Sequence, residues 1–255
     1  MDLASLGCND KNRHHRDLRC VFDPEIHKYE IDGTVFNSVT TIISRFFAIF
    51  NADEAIEKMK KGRNWNPNHK YWGMQDYEIK QNWEEKGMKA ARQGTFLHEQ
   101  IEKFYLGQKY EKPEEFTHFL QFERDHDFLS PYRTEWRIFD ENFKIAGTID
   151  FIAKNGEQYE MYDWKRSLKV INKFNGAPIT ENRWDRGLDG LSDIDDTSFN
   201  HYVLQLSIYR YLIEKNYDIG ISKMFIVVLH PEYDQYYKVS VPYLKDKVEY
   251  ILGSL

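Results

Sequence analysis

Two aspartates and a lysine, Asp150, Asp163 and Lys165, lie within "GTIDFIAKNGEQYEMYDWKRS" (residues 147–167), a stretch otherwise composed like a strand pair. Aspartate is depleted in strands, so two at this spacing ask for a chemical reason. Asn155-Gly156 is the dipeptide favoured by two-residue hairpin loops that need positive φ, and it predicts a hairpin of residues 145–154 and 157–166. Lys154 would then face Glu157, Asp150 would face Met161, and Thr148 would face Asp163. Paired residues share a face and faces alternate along a strand. Asp150, Asp163 and Lys165 therefore project from one side, with the aspartates as diagonal neighbours roughly 7–8 Å apart at the backbone. Ile145, Ile149 and Phe151 project from the other.

Such a trio suits divalent-metal-assisted hydrolysis of a phosphodiester. Mg²⁺ takes oxygen ligands at about 2.0–2.1 Å, commonly one or two carboxylates with waters and substrate phosphate oxygens. The lysine could orient the attacking water and offset charge developing on phosphorus. A solvated Asp–Lys pair on a sheet face is the competing explanation. "GTFLHEQIEKFYLGQ" adds His98, whose imidazole could be a further ligand, better suited to Mn²⁺ than to Mg²⁺. Glu102 stands one helical turn on, expected as a solvated neighbour. In "HYVLQLSIYRYL", His201, Gln205 and Tyr209 form a polar ridge beside the apolar stripe Leu204, Ile208 and Leu212. Gln205 could bond the lysine, the water or the scissile region, and Tyr209 could reach a phosphate; a half-buried amphipathic helix would show the same pattern.

Residues 58–92 carry nine Lys or Arg against four Asp or Glu, a balance of +5, interleaved with Trp65, Tyr71, Trp72, Tyr77 and Trp83. Basic charge among aromatic faces is how single strands are held without sequence readout, which makes Lys70, Trp72, Trp83, Lys86 and Arg92 candidate nucleic-acid contacts. Core aromatics under a solvated basic face would look similar.

The elements that must position these residues are legible from periodicity. Residues 1–18 are polar and expected to be flexible. Short strands follow within "CVFDPEIHKYEIDGTVFNSV", and Ser38 and Thr40 can cap a helix through Ile42, Ile43 and Phe46. Residues 52–130 read as a helical elaboration and 131–255 as the catalytic core, with strands at about 132–139, 145–154 and 157–165. Residues 168–198 look like a long acidic loop, unusual in a compact domain. A helix from "FNHYVLQLSIYRYLIEKN", two strands and a closing helix complete an α/β domain.

With 255 residues the chain suits one elaborated α/β domain. A net charge of −6 excludes a globally basic nucleic-acid binder but allows a local basic channel. Cys8 and Cys20 are the only cysteines, too few for an iron–sulfur cluster or a disulfide framework. No apolar run approaches the ~20 residues of a membrane span, and the N-terminus has no signal-peptide core, so a soluble intracellular protein without a membrane partner is expected.

Taken in order, His98, the "GTID" aspartate Asp150, the Asp163-Trp164-Lys165 triplet and the Gln205–Tyr209 pair resemble the PD-(D/E)XK nuclease superfamily, in its RecB-like exonuclease branch. Lacking a four-cysteine cluster and a helicase part, the chain is similar to small stand-alone members of the mitochondrial genome maintenance exonuclease type and to phage and large-virus nucleases of DNA replication and repair. The resemblance implies a restriction-endonuclease-like α/β/α core with a central mixed sheet and an N-terminal helical elaboration. It also implies Mg²⁺ or Mn²⁺ on His98, Asp150, Asp163 and the Trp164 carbonyl, with Lys165 catalytic and Gln205 and Tyr209 in support. Its expected partner is single-stranded DNA, cut from an end, with the helical region before His98 corresponding to a part that arches over the strand. The sequence leaves any helicase or polymerase partner unnamed. A catalytically inactive nuclease-fold binding module and a protein-interaction domain working through the acidic 185–196 stretch are the competing readings.

Overall fold

The computed structural model describes residues 7–255. The chain divides into two compact units, one formed by residues up to Ala48 together with Leu97–Leu255, the other by Ile49–Phe96. The boundary differs from the one expected between elaboration and core at residue 130. Residues 97–130 belong with the sheet because Leu97, Ile101, Phe116, Phe119 and Phe122 all lie in its core.

Among the described residues the first unit holds eight strands: β1 (Cys20–Asp23), β2 (Lys28–Ile31), β3 (Thr34–Ser38), β4 (Ser130–Asp140), β5 (Ile145–Asn155), β6 (Gln158–Lys165), β7 (Ile221–Val228) and β8 (Tyr237–Val241). They form one sheet in the order β1-β2-β3-β5-β6-β7-β8, with β4 paired to β5. The pairs β3–β5 and β6–β7 are parallel and the rest antiparallel, so the sheet is mixed, as expected of the α/β class. The helices are α1 (Cys8–Lys11), α2 (Val39–Ser44), α3 (Ala52–Lys61), α4 (Asp76–Tyr105), α5 (Phe116–Asp125), α6 (Ser198–Asn216) and α7 (Lys245–Gly253). Helix α6 is the crossover that a parallel β6–β7 pair requires. With α2 and α7 it buries one sheet face, through Ile42, Leu204, Ile208, Leu212 and Ile251. Helix α5 and the C-terminal part of α4 bury the other against Phe151, Tyr162 and Trp164.

The local signals act as expected where they are chemical. Ser38 accepts from Thr41 N at 3.1 Å and caps α2, and Thr197 caps α6 through Asn200 N. Four expectations are corrected. First, residues 7–18 are not loose; the part of the flexible-terminus reading that concerns residues 1–6 lies outside the described residues. Asn9 exchanges hydrogen bonds with the Thr134 main chain, and Asp17 accepts from Arg133 and the Trp136 indole, fastening the segment to β4.

Second, the hairpin register differs by two residues. Asn155 pairs with Gln158, so the turn is Gly156-Glu157, Met161 faces Ile152, and Tyr162 faces Phe151. The reason lies in the turn itself: Gly156 supplies the positive φ of 60° at its first central position, and Asn155 holds a strand position with its amide bonded to Glu160. A two-residue slip preserves parity, so Asp163 and Lys165 keep a common face; the ladder ends at Phe151↔Tyr162, one residue short of Asp150, so Asp150 and Asp163 are not paired across the strands.

Third, Ile149 and Phe151 do not share a face: Ile145 and Ile149 pack in the α6-side cluster, Phe151 in the α4–α5 cluster. The strand turns over at Asp150. Opposite it on β4, between the pairs Thr134↔Phe151 and Trp136↔Ile149, Glu135 adopts φ 46°. Fourth, the 168–198 stretch is a long connection, but it carries buried Val170, Ile171 and Leu191 and two isolated bridges.

Because β4 pairs with β5 along nearly its whole length, β3 and β6 share the other edge of β5 at opposite ends. Gly147–Asp150 lie in the gap between them, and the candidate site opens there.

The second unit consists of α3, capped by Asn51, and the N-terminal part of α4. The ion pairs Lys60–Asp76 and Lys80–Asp53 join the two helices. Among the described residues, no helix is long and apolar enough to cross a membrane.

Candidate active site

Where β5 and β6 part, the Asp150 side chain replaces the missing ladder bond: Oδ2 accepts the Trp164 N–H at 2.8 Å. Thr134 Oγ1 donates to the Asp150 carbonyl at 3.1 Å and holds its backbone from the β4 side. The Trp164 carbonyl accepts from His98 Nε2 at 2.8 Å. That bond fixes the ring orientation, with Nε2–H donating, and it presents Nδ1 to Asp150 Oδ2 at 3.6 Å and Glu135 Oε1 at 3.5 Å. The Trp164 carbonyl, implied as a metal ligand by the resemblance, is thus engaged by His98.

On the α6 side, Lys165 Nζ lies 2.6 Å from Asp163 Oδ2. The approach is poorly aligned, so that buried oxygen is ion-paired without a well-formed hydrogen bond. The same ammonium stands 4.5 Å above the Tyr202 ring. Gln205 Nε2 donates to Tyr209 OH at 3.0 Å, joining the two helical residues expected to support the site. Tyr209 is only 5% exposed, and its ring covers Gly147, where a Cβ would stand 2.3 Å from Cε1. It therefore acts by packing and through Gln205 rather than by reaching a phosphate. His201, third on the ridge, packs against Phe47 with the rings tilted by 36° and lies 2.9 Å from Asp196.

The electrostatics are those of too many carboxylates in too little water. Burial raises Asp150 and Asp163, although His98 and Lys165 act against it. Burial would lower His98, but Asp150 and Glu135 hold it up at about 9, and Asp163 and Asp150 likewise keep the Lys165 ammonium charged. Glu102 is half-buried rather than solvated, and burial together with Glu135 pushes it up to about 7. Imidazole and carboxylate donors of His98, Glu135 and Asp150 lie within 4.8 Å of one another. This donor set fits a divalent cation, which would offset the surplus negative charge.

The fold gathers the expected His98, Asp150, Asp163 and Lys165, and places beside them Glu135 and Tyr202, which the sequence did not single out. Tyr202 lies three residues before Gln205, one turn back on the same helix, a spacing that could have drawn attention to it. For Glu135 no sequence signal was present, since nothing in "RTEWRIF" announces a positive φ within a strand.

In the second unit Lys70, Lys86 and Arg92 are exposed, and Trp72 is 46% exposed. Lys70 and Lys86 stand 5.2 and 5.3 Å from the Tyr71 ring centre. Trp83 is half-buried, 6.1 Å from the rings of both Tyr71 and Phe50.

No protein-family model matches the chain, and no curated protein sequence matches it. A solved structure titled "Crystal structure of SSO0001" is similar at 16% identity and a TM-score of 0.28, over 55% of this chain and 55% of its own length.

Proposed function

We propose that the chain is a divalent-metal-dependent nuclease that hydrolyses DNA phosphodiester bonds, acting as an exonuclease on single-stranded ends. The observation that carries this reading is the convergence of His98 and Asp150 on one side of the β5–β6 fork with Asp163 and Lys165 on the other. That is the residue set of the PD-(D/E)XK resemblance, drawn from three separate elements. Mg²⁺ or Mn²⁺ held by His98, Asp150 and Asp163 would supply Lewis acidity toward the phosphate. Lys165, held charged by Asp163, orients the attacking water and offsets charge on the phosphoryl oxygens. Gln205 and Tyr209 brace the strand that carries Asp150. Exposed Trp72 with Lys70, Lys86 and Arg92 provides stacking faces and positive charge for a flexible strand. The protein-interaction reading gains less support, because three of the five acids of 185–196 are engaged within the fold: Asp193 by Lys247, Asp195 by Arg186 and Asp196 by His201.

The test is incubation of purified protein with 5′- or 3′-labelled single strands, linear duplex and closed single-stranded circles in Mg²⁺, Mn²⁺ or EDTA. Metal-dependent shortening of linear strands, with circles spared, is expected. Absence of cleavage under every metal condition would refute the enzyme reading, and circles cut as fast as linear strands would refute the requirement for an end.

A further inference from the structure

Glu135 stands apart from every other residue of the central strands. It belongs to β4, yet its φ is 46°, the left-handed region that strands exclude and that costs a non-glycine residue about 1–2 kcal/mol. The conformation is not a strand end: Thr134 and Trp136 on either side keep their partners, Phe151 and Ile149, on β5. The flip occurs directly across from Asp150. Its result is that the Glu135 carboxylate comes within 3.5 Å of His98 Nδ1, and no Lys or Arg among the described residues pairs with it. Strain held in mid-strand by neighbours that over-determine it is found where function needs a side chain re-aimed.

The surroundings point to a ligand. Asp150 is only 7% exposed, Asp163 Oδ2 beside it is buried without an aligned donor, and His98 Nδ1 faces both Asp150 and Glu135. One donor atom each from His98, Glu135 and Asp150 falls within 4.8 Å, whereas Asp163 is drawn toward Lys165. Resting on the metal-dependent reading above, we propose that Glu135 is a further cation ligand: its carboxylate joins His98 Nδ1 and Asp150 at the metal, and the strained backbone of Glu135 exists to deliver it.

The role of the strain makes the test two-sided. Asparagine adopts the left-handed region far more readily than glutamate and cannot supply a carboxylate. Glu135→Asn should therefore lose metal affinity while the metal-free chain becomes no less stable. Mn²⁺ binding to the full chain is read by titration calorimetry or by the free-Mn²⁺ electron paramagnetic resonance signal, and stability from the thermal midpoint in EDTA. Asp150→Asn is the control for the site, and Glu135→Gln, which keeps side-chain length, is the second probe. The expected result is at least a tenfold loss of Mn²⁺ affinity in both Glu135 variants, with the midpoint of Glu135→Asn in EDTA equal to or above that of the unmodified chain. If Asp150→Asn loses Mn²⁺ while both Glu135 variants bind within twofold of the unmodified chain, the ligand role is overturned and the metal-dependent reading stands. A fall in the EDTA midpoint of Glu135→Asn would mark Glu135 as a fold residue and overturn the proposal. An unmodified chain that binds no Mn²⁺ would overturn both.

Discussion

Gly147 lies directly beneath the ring of Tyr209, so close that a Cβ there would stand 2.3 Å from Cε1 and 2.9 Å from the hydroxyl oxygen. The glycine of "GTID" and the tyrosine of the α6 ridge are thus one packing unit, and Gln205 fixes the ring by its 3.0 Å bond to the hydroxyl. Gly147→Ala should cost about 1–3 kcal/mol by overpacking, read as a lower urea midpoint at unchanged slope. Tyr209→Leu should be less than additive with it, because removing the ring removes the clash. Full additivity in the double variant would contradict the direct contact.

Removing Asp163 leaves the buried Lys165 ammonium without its nearest carboxylate, so Asp163→Ala should destabilise the chain by about 3 kcal/mol besides abolishing cleavage. Lys165→Met in the same chain should recover much of that stability, since the unpaired charge is then gone. Denaturation of the two single variants and the double variant checks this; a double variant as unstable as the sum of the singles would count against the pair.

Lys165→Arg should not restore the cleavage lost in Lys165→Ala, because a guanidinium is larger, planar and cannot occupy the 2.6 Å contact with Asp163 in the same way. Mn²⁺ affinity should stay within a few-fold of the unmodified chain in Lys165→Ala, since the ammonium is not a ligand. Single-turnover cleavage and Mn²⁺ titration on the same preparations separate the two effects.

Asp17 accepts from Arg133, the Trp136 indole and His14 N, and although burial pushes its pKa up, these donors hold it below the ordinary value of 3.8. A carboxyl depressed in the folded state contributes stability above its unfolded pKa and loses it as pH falls through the folded one. Asp17→Asn should therefore lower the thermal midpoint at pH 7, with a gap corresponding to about 2 kcal/mol for charge-assisted hydrogen bonds. The gap should narrow below pH 3.8. A gap independent of pH would show that the charge of Asp17 is not what fastens residues 7–18 to β4.

Trp72→Ala and Lys70→Ala should each weaken single-strand binding without altering Mn²⁺ binding, the tryptophan by about 1–3 kcal/mol for a lost stacking platform. The lysine change should also flatten the dependence of affinity on salt, since one phosphate contact is removed. Fluorescence anisotropy of labelled oligonucleotides at several salt concentrations measures both. Unchanged affinity in both variants would remove this surface from the reading.

The sequence by itself determined the elements and the grouping of the chemistry. Periodicity located the helices and strands around the site, Ser38 bounded α2 where local hydrogen bonding demanded it, and strand parity put Asp163 and Lys165 on one face. Parity survives a two-residue slip, so the different turn at Gly156 left Asp163 and Lys165 on one face, but it fails at Asp150, where the strand turns over. What tertiary structure alone decided is how the sheet forks. The Asp150 carboxylate replaces a backbone bond to Trp164, β3 and β6 share one edge of β5, and Glu135 is forced to φ 46° opposite the break. None of these is a local preference of its residue. Each follows from where several strands must end, and a residue held against its own conformational preference leaves no trace in its sequence neighbourhood.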